Sequence, residues 1–163
     1  MEHIRHGELT SLERPREILL VCPQFKSNVN LSRIVRLASC CGVTRIIVAG
    51  TNKVDPKIAR DGADTITIER RRSLPPVLKR LKQDGYHLIG LEQATDSHSL
   101  YDFQFQRRTA LVIGHERNGI ADAELKLLDE AIEIPVYGMP HSYNVVTATT
   151  MAMYEYCRQF PSG

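Results

Sequence analysis

Near its C-terminus the chain contains the sequence Ile134-Pro-Val-Tyr-Gly-Met-Pro-His-Ser-Tyr-Asn-Val145. A short apolar segment runs here into proline and glycine, and a Ser-Tyr-Asn triplet then opens a helix that is apolar on almost every face. Such a turn leaves backbone amides and carbonyls free beside polar side chains, as a binding site requires. The alternative is an ordinary loop in which Ser142 or Asn144 only caps the helix. This segment alone leaves both interpretations open.

Short apolar runs alternate with helical segments along the rest of the chain. Strands are predicted at residues 17–22, 45–50, 65–68, 86–91, 109–114 and 131–134, and helices at residues 28–41, 55–60, 73–84, 122–130 and 142–159. Residues 92–106 are polar, and we expect them to be irregular. The alternation predicts an α/β domain with a mostly parallel sheet and helices on both faces. Ligands in such sheets bind beyond the carboxyl ends of the strands, so the site is expected in the loops after Cys22, Leu91, Gly114 and Ile134.

Length and composition limit the class of protein. The 163 residues suit one domain, and we expect a polar arm at residues 1–16 followed by a single domain at residues 17–163. Four cysteines without a C-x-x-C pair favour reduced core thiols over a zinc site or disulfides, and no metal is expected. Because no signal peptide or membrane-length apolar run is visible, we expect a soluble, cytoplasmic protein.

Two nucleotide-binding patterns are absent from the sequence. No G-x-G-x-x-G follows the first strand, which argues against a dinucleotide site. Residues 114–119 have the glycine spacing of a phosphate loop, but Ile120-Ala121 stands where Lys-Ser/Thr is needed. A nucleotide-binding α/β enzyme of these kinds is therefore disfavoured.

Basic residues cluster locally, although the net charge is only +2. Asn30, Arg33 and Arg36 recur every three residues on one side of the first predicted helix, just beyond the first strand. Arginine suits a phosphate oxygen through its planar donor fork. Residues 70–72 and 107–108 form further basic runs. Such runs are either solvated surfaces or contacts to RNA.

Three segments together resemble the SpoU (TrmH-like) branch of the SPOUT methyltransferases. The first is Asn30-Leu-Ser-Arg-Ile-Val-Arg36, in which Asn30 and Arg36 match the family's Asn and Arg. The second is residues 111–120, and the third is residues 134–145. The motifs occur in the family's order and spacing over nearly the whole chain.

The resemblance implies a methyl transfer from S-adenosyl-L-methionine to a ribose 2′-hydroxyl of tRNA or rRNA. It also implies a homodimer and a C-terminal trefoil knot, which pattern reading alone would not propose. It assigns the catalytic role to Arg36, from the other subunit, with Asn30, Glu116, Ser142 and Asn144 as positioning residues. The residues expected to bind the cofactor are Leu91, Glu92, Gly114, His115, Ile134, Ser142 and Tyr143. RNA is expected at Arg33, Arg70, Arg71 and Arg72.

Three residues depart from the family pattern. Ser32 replaces a Gly, His115 replaces a frequent Asn, and Tyr143 replaces a Leu. The main alternative function is accordingly a catalytically impaired RNA-binding relative that keeps the fold. The sequence also leaves open whether Arg36 acts as the base or as a phosphate clamp, because a guanidinium is almost always charged.

Overall fold

The computed structural model describes residue 7 and residues 9–163. Seven strands form one sheet: β1 (Leu19–Cys22), β2 (Arg45–Ala49), β3 (Thr67–Arg71), β4 (His87–Leu91), β5 (His98–Ser99), β6 (Thr109–Ile113) and β7 (Glu130–Glu133). Their order across the sheet is β3-β2-β1-β6-β4-β7-β5, and every one of these neighbouring pairs is parallel. The predicted parallel α/β sheet is therefore confirmed.

Helices cover both faces of the sheet. They are α1 (Asn28–Cys40), α2 (Pro56–Ala59), α3 (Gly62–Thr65), α4 (Pro75–Gln83), α5 (Asp122–Leu125) and α6 (Val145–Gln159). On one face α1 and α6 bury Leu31, Ile34 and Tyr156 against the sheet. On the other face Leu78 and Leu81 of α4 pack with β-strand residues in a second core. Because both faces are covered, the central strands are buried along their whole length, as their apolar sequences predict.

Several predicted boundaries were wrong. Residues 92–106 are not wholly irregular, since β5 pairs with β7 there, and two residues are too few to give a periodic signal. The helix predicted at 122–130 ends at Leu125, because the chain must return to the sheet as β7 from residue 130. The small helix α3 was missed. Leu74 and Ala121, rather than Ser73 and Asp122, occupy the N-cap positions of α4 and α5, without side-chain cap bonds.

The last helix is not fully buried. Its core face consists of Thr149, Ala152, Met153 and Tyr156. Tyr154, by contrast, is 75% exposed on the opposite side. Although its sequence is apolar on almost every face, the helix therefore packs in the core on one side and exposes apolar surface on another.

The N-terminal arm lies partly outside the described residues. Within the described part, the backbone amide of Glu13 donates to the carbonyl of Ser162 at 3.0 Å. The buried Arg16 donates from Nε to the carbonyl of Cys41 at 2.7 Å. Residues 13–16 therefore contact both the end of α1 and the C-terminus.

The cysteines are only partly core residues. All four are free thiols, and Cys22 is buried, but Cys40 is exposed.

Within the described part of the chain, no helix has the length and apolarity needed to cross a bilayer.

The buried hydroxyl of Ser32 joins two helices. It donates to the carbonyl of Asn28 at 2.7 Å within α1 and accepts from the backbone amide of Asp55 at 2.8 Å. Asp55 in turn caps α2 by accepting from the amide of Lys57. The serine that replaces the family's glycine is thus accommodated by two hydrogen bonds.

We expect Ser32→Ala to lower the free energy of unfolding by about 1–3 kcal/mol, because the amide of Asp55 loses its partner. Denaturant titration measures the change. Ser73→Ala serves as the control, since Ser73 is exposed and makes no cap bond, and it should leave the midpoint unchanged. An equal stability of Ser32→Ala and the unchanged protein would contradict this role.

Candidate functional site

A cleft of about 410 Å³ lies at the carboxyl edge of the sheet. Its walls are the loops that follow β4, β6 and β7, together with the start of α6. All seven residues predicted to bind a cofactor line it, namely Leu91, Glu92, Gly114, His115, Ile134, Ser142 and Tyr143. The residues that sequence analysis expected at a cofactor site therefore lie together in one cleft.

The loop after β6 is a tight turn closed by main-chain bonds. The amides of His115 and Gly119 each donate to the other's carbonyl, at 2.9 and 3.0 Å. Gly119 has φ +64°, and a Cβ there would lie 2.3 Å from Oε2 of Glu92. That same oxygen accepts from the amide of Ile120 at 2.8 Å. The Glu92 side chain therefore packs against the turn and accepts one of its backbone amides. Only glycine at position 119 leaves room for so close a contact with this carboxylate.

Glu116 connects this turn to the other side of the site. Its Oε2 accepts from the backbone amide of Lys26 at 3.0 Å, and its Oε1 accepts from Nδ2 of Asn30 at 2.8 Å. The side chain is only 15% exposed. Burial alone would raise the pKa of Glu116, but the hydrogen bonds from Lys26 and Asn30 outweigh it and lower the pKa. The carboxylate therefore stays charged and ties the β1–α1 loop to the cleft.

His115 shapes the turn rather than projecting freely. Its Nδ1 accepts from the amide of Arg117 at 3.1 Å, which assigns the proton of a neutral ring to Nε2. Nε2 lies 3.5 Å from Oε2 of Glu116. The residue that departs from the family pattern is thus part of the same hydrogen-bonded loop.

Asn144 combines the two roles that the sequence left as alternatives. Its Oδ1 accepts from the amide of Val146 at 2.9 Å, so it is the N-cap of α6. It also lines the cleft beside Ser142 and Tyr143, both of which are exposed. On the opposite wall, Nε2 of Gln93 donates to the carbonyl of His141 at 3.4 Å. The start of α6 is therefore attached to the β4 loop.

Asn30 and Arg36 do not line the cleft. Asn30 reaches it only through Glu116. Arg36 is exposed and lies six residues further along α1, a rise of about 9 Å. Among the described residues, Arg117 is the one arginine in the cleft wall. A single copy of the chain thus assembles Glu116, Ser142 and Asn144 but not the expected catalytic arginine.

The basic residues predicted to contact RNA are divided between different environments. Arg33 is exposed on α1. Nη1 of Arg70 donates to the carbonyl of Asn52, whereas Nη2 of Arg71 lies 2.7 Å from Oε2 of Glu69. Arg72 is exposed at the end of β3. Since β3 is three strand positions from β6, whose loop is the nearest wall of the cleft, Arg70, Arg71 and Arg72 lie roughly 14 Å across the sheet from it.

The cleft wall is acidic. The residues that line it include Glu92, Glu116 and Glu133 but, within the described part of the chain, only one arginine, Arg117. Sequence analysis missed Glu133, which ends β7 and accepts from Oγ of Ser97 at 2.9 Å. Its position at a strand's carboxyl end was the signal that could have found it. An excess of negative charge favours a cationic ligand and opposes a phosphate. No group of three or more metal-ligating side chains occurs in the described portion of the chain.

Replacing Glu116 by Gln should loosen the link to Lys26, because an uncharged amide oxygen accepts more weakly than a carboxylate and the second acceptor oxygen is lost. We expect faster hydrogen exchange of the Lys26 amide in Glu116→Gln. The folded pKa of Glu116 is lowered, so its contribution is present above the unfolded value of about 4.3 and is lost as pH falls through the folded pKa. The unchanged protein should therefore lose protection of Lys26 on acidification, whereas Glu116→Gln should not.

Glu155→Gln is the matched control, because Glu155 is a carboxylate of lowered pKa on α6 that pairs with Arg158. It should leave the exchange of Lys26 unchanged. Protection of Lys26 that does not change with pH in the unchanged protein would contradict the bridging role of Glu116.

Known proteins with similar sequences are RNA methyltransferases. The 23S rRNA (guanosine-2′-O-)-methyltransferase RlmB of Escherichia coli strain K12 is 30% identical over 156 residues, which cover 93% of this chain and 63% of that protein. The tRNA (guanosine(18)-2′-O)-methyltransferase of Aquifex aeolicus strain VF5 is 26% identical over 151 residues, covering 90% and 72%. The chain thus spans less than two thirds of the length of RlmB.

Solved structures agree with the fold. The TrmH/SpoU tRNA modifying enzyme of A. aeolicus has a TM-score of 0.85 at 25% identity, covering 92% of this chain and 78% of the other. The SpoU methyltransferase AviRb of Streptomyces viridochromogenes, in complex with the cofactor AdoMet, has a TM-score of 0.78 at 28% identity, covering 92% and 63%. The model of the SpoU rRNA Methylase family matches residues 17–154. The resemblance is therefore confirmed, and the chain belongs to the SpoU rRNA Methylase family.

Proposed function

We propose that this protein transfers a methyl group from S-adenosyl-L-methionine to a ribose 2′-hydroxyl of tRNA or rRNA. The observation that carries the proposal is the acidic cleft formed by three strand-end loops and the start of α6. Its volume of about 410 Å³ lies in the range of small-molecule sites. RlmB and the A. aeolicus tRNA enzyme are 2′-O-methyltransferases, and AviRb binds AdoMet in a fold of the same kind.

The cleft residues fit the proposed cofactor. A sulfonium cation suits a wall with three carboxylates, whereas a nucleotide phosphate does not. Glycines at 114 and 119 allow the tight turn that lines the cleft, since a Cβ at Gly114 would meet the backbone of Gly119 at 2.9 Å. When bound, S-adenosylmethionine supplies an electrophilic methyl group. The protein's task is to exclude water and to align the 2′-hydroxyl with it, and alignment contributes roughly 7–11 kcal/mol.

Each predicted site residue has a role in this proposal. Glu116 fixes Asn30 and the start of α1 relative to the cleft. Ser142 and Asn144 line the cleft wall that faces the ribose in this proposal. Asn144 also caps the first turn of α6. Tyr143 lines the same wall, with 41% of its surface exposed. Arg36 holds the neighbouring RNA phosphate and stabilises the developing alkoxide through its charge.

The proposal includes a homodimer in which Arg36 reaches the cleft of the partner copy. Support comes from the position of Arg36 outside its own cleft and from exposed apolar side chains on α1 and α6. Val29 is 37% exposed and Tyr154 is 75% exposed. A second copy would cover such side chains. A trefoil knot at the C-terminus and a cytoplasmic location are further parts of the proposal.

The catalytically impaired RNA-binding relative is the weaker alternative. Ser32 satisfies its hydroxyl through two hydrogen bonds, and His115 lies within a closed turn. Neither departure therefore disturbs the cleft. Calorimetry with S-adenosylmethionine and mass-spectrometric mapping of ribose methylation, in RNA from cells with and without the protein, test the main proposal. Absence of cofactor binding would overturn it, and binding without any methylated ribose would leave the alternative.

We expect Arg36→Ala to abolish methyl transfer while S-adenosylmethionine affinity stays within about twofold, because the proposed partner of Arg36 is the RNA and not the cofactor. Transfer of labelled methyl to unmodified tRNA and rRNA measures activity, and calorimetry measures affinity. Asp61→Ala, a change at an exposed position near α1, is the control for indirect effects. Loss of cofactor binding in Arg36→Ala would show that its role is misassigned.

Mixed dimers test whether Arg36 acts on the partner's cleft. Arg36→Ala is co-expressed with Gly114→Val, whose side chain meets the backbone of Gly119 and should distort the turn that lines the cleft. Calorimetry checks that this variant no longer binds the cofactor, and circular dichroism checks that it is folded. Each mixed dimer then has one intact cleft facing one intact arginine. Random pairing should restore roughly a quarter of the activity of the unchanged protein. No activity in the mixture, with dimers present, would show that the arginine acts within its own subunit.

A further inference from the structure

A second cavity, which we call the edge groove, lies on the other face of the sheet. It has a volume of about 610 Å³ and runs between α4 and the strands β2 and β3. Its floor includes the apolar side chains of Ile47, Val77 and Leu81. The arginines along its walls are Arg45, Arg71, Arg72 and Arg80. No residue of this groove belongs to the cleft.

The edge groove is open because α4 covers the middle of the sheet and leaves its edge exposed. Leu78 and Leu81 pack in the core that contains Val21, Leu88 and Val112 of the central strands. The edge strand β3 has no neighbour on its outer side among the described strands. The β3 side chains that face α4, Glu69 and Arg71, are charged, whereas a strand covered by a helix would be apolar there. A surface of this composition is suited to contact with a polar partner.

The charge of the edge groove is positive. Its four guanidinium groups face two carboxylates, those of Glu69 and Asp84, so two positive charges are uncompensated. Hydrogen bonding from Arg45, together with the charge of Arg71, lowers the pKa of Glu69 and keeps this carboxylate ionised. Arg80 is 82% exposed, and its Nε lies 3.7 Å from Oδ2 of Asp84, a pairing that is weak in water. Arg80 and Arg72 are therefore available to an anion.

The groove begins at the same edge of the sheet as the cleft. Because α4 returns antiparallel to the strands, Arg72 and Ser73 lie at the carboxyl edge, and Arg45 and Asp84 lie at the opposite end. A single RNA molecule can therefore extend from the cleft to the groove, across roughly 14 Å of sheet. The acidic cleft repels phosphates, so the rest of a bound RNA needs a basic surface elsewhere.

We propose that the edge groove binds the sugar–phosphate backbone of the substrate RNA, outside the nucleotide that enters the cleft. This inference rests on the proposed function, because it concerns the same RNA. Arg72 and Arg80 contact phosphate oxygens through their donor forks. Apolar contact to the RNA comes from Pro76 and Val77, because Ile47 and Leu81 are buried. Arg45 and Arg80, which sequence analysis did not select, thereby join Arg71 and Arg72 as RNA-contacting residues.

The test compares the double variant Arg72→Ala/Arg80→Ala with the unchanged protein. RNA affinity is measured by fluorescence anisotropy with full-length tRNA and a ribosomal RNA fragment over a range of salt concentrations. We expect about tenfold weaker binding and a salt slope, d log K/d log[salt], that is smaller by roughly 1 to 2, since two phosphate contacts are removed. The KM for RNA should rise in step, while calorimetry should give the same S-adenosylmethionine affinity.

Lys79→Ala/Lys126→Ala is the matched control. It removes two exposed positive charges, one of them on α4 itself, but neither residue lines the groove. This variant should keep RNA affinity within about twofold. A conservative double variant, Arg72→Lys/Arg80→Lys, should keep most of the salt slope, because lysine retains the charge but not the fork.

The outcomes separate the groove from the proposed function. Unchanged RNA affinity and slope in Arg72→Ala/Arg80→Ala, with circular dichroism showing a folded protein, would overturn the groove even if methyl transfer is observed. The groove proposal would also be overturned if Arg72→Ala/Arg80→Ala kept its RNA affinity but no longer bound an acidic peptide that the unchanged protein binds. That outcome would indicate a protein partner. Weaker RNA binding in this variant supports the groove, even if the unchanged protein transfers no methyl group.

Discussion

The carboxylate of Glu116 is the interaction on which the geometry of the site depends. It accepts from the amide of Lys26 and from Asn30, which lie after β1 and at the start of α1, while its own backbone belongs to the turn after β6. Strands β1 and β6 are adjacent, so their loops meet, but adjacency alone does not fix two loops relative to one another. The ionised side chain of Glu116, with Lys26 and Asn30 as its two donors, fixes the two loops relative to one another. The helix that carries Arg33 and Arg36 is thereby held in a fixed relation to the cleft.

Charge separates the surfaces at the carboxyl edge into two kinds. The cleft presents three carboxylates and one arginine, whereas arginines stand outside it on α1 and along the edge groove. The proposed reaction needs opposite electrostatic environments for a sulfonium donor and a polyanionic RNA, and a nearly neutral chain can provide both by segregating its charges. The modest net charge of the whole chain therefore says little about nucleic-acid binding, because binding depends on the local excess of positive side chains.

Much of the fold could be predicted because buried parallel strands have continuous apolar sequences, and the rule that ligands bind at their carboxyl ends then located the cleft. Other features have no sequence signal. The bond from Lys26 to Glu116 uses a backbone amide, which any residue provides. Two residues of β5 are too short for periodicity. The edge groove exists because α4 leaves β3 uncovered, a consequence of packing that no local pattern records.

Two of the three departures from the family pattern, His115 and Ser32, show what such a site tolerates. His115 pairs with Gly119 through main-chain atoms, so a different side chain at 115 leaves the turn closed. Ser32 adds a hydroxyl to a crowded helix start, but the carbonyl of Asn28 and the amide of Asp55 satisfy it. Gly119 has no such freedom, since its φ is +64° and Glu92 occupies the space of a Cβ. A site built from backbone groups can therefore change many of its side chains, and the constraint falls on the few positions where the main chain itself must fit.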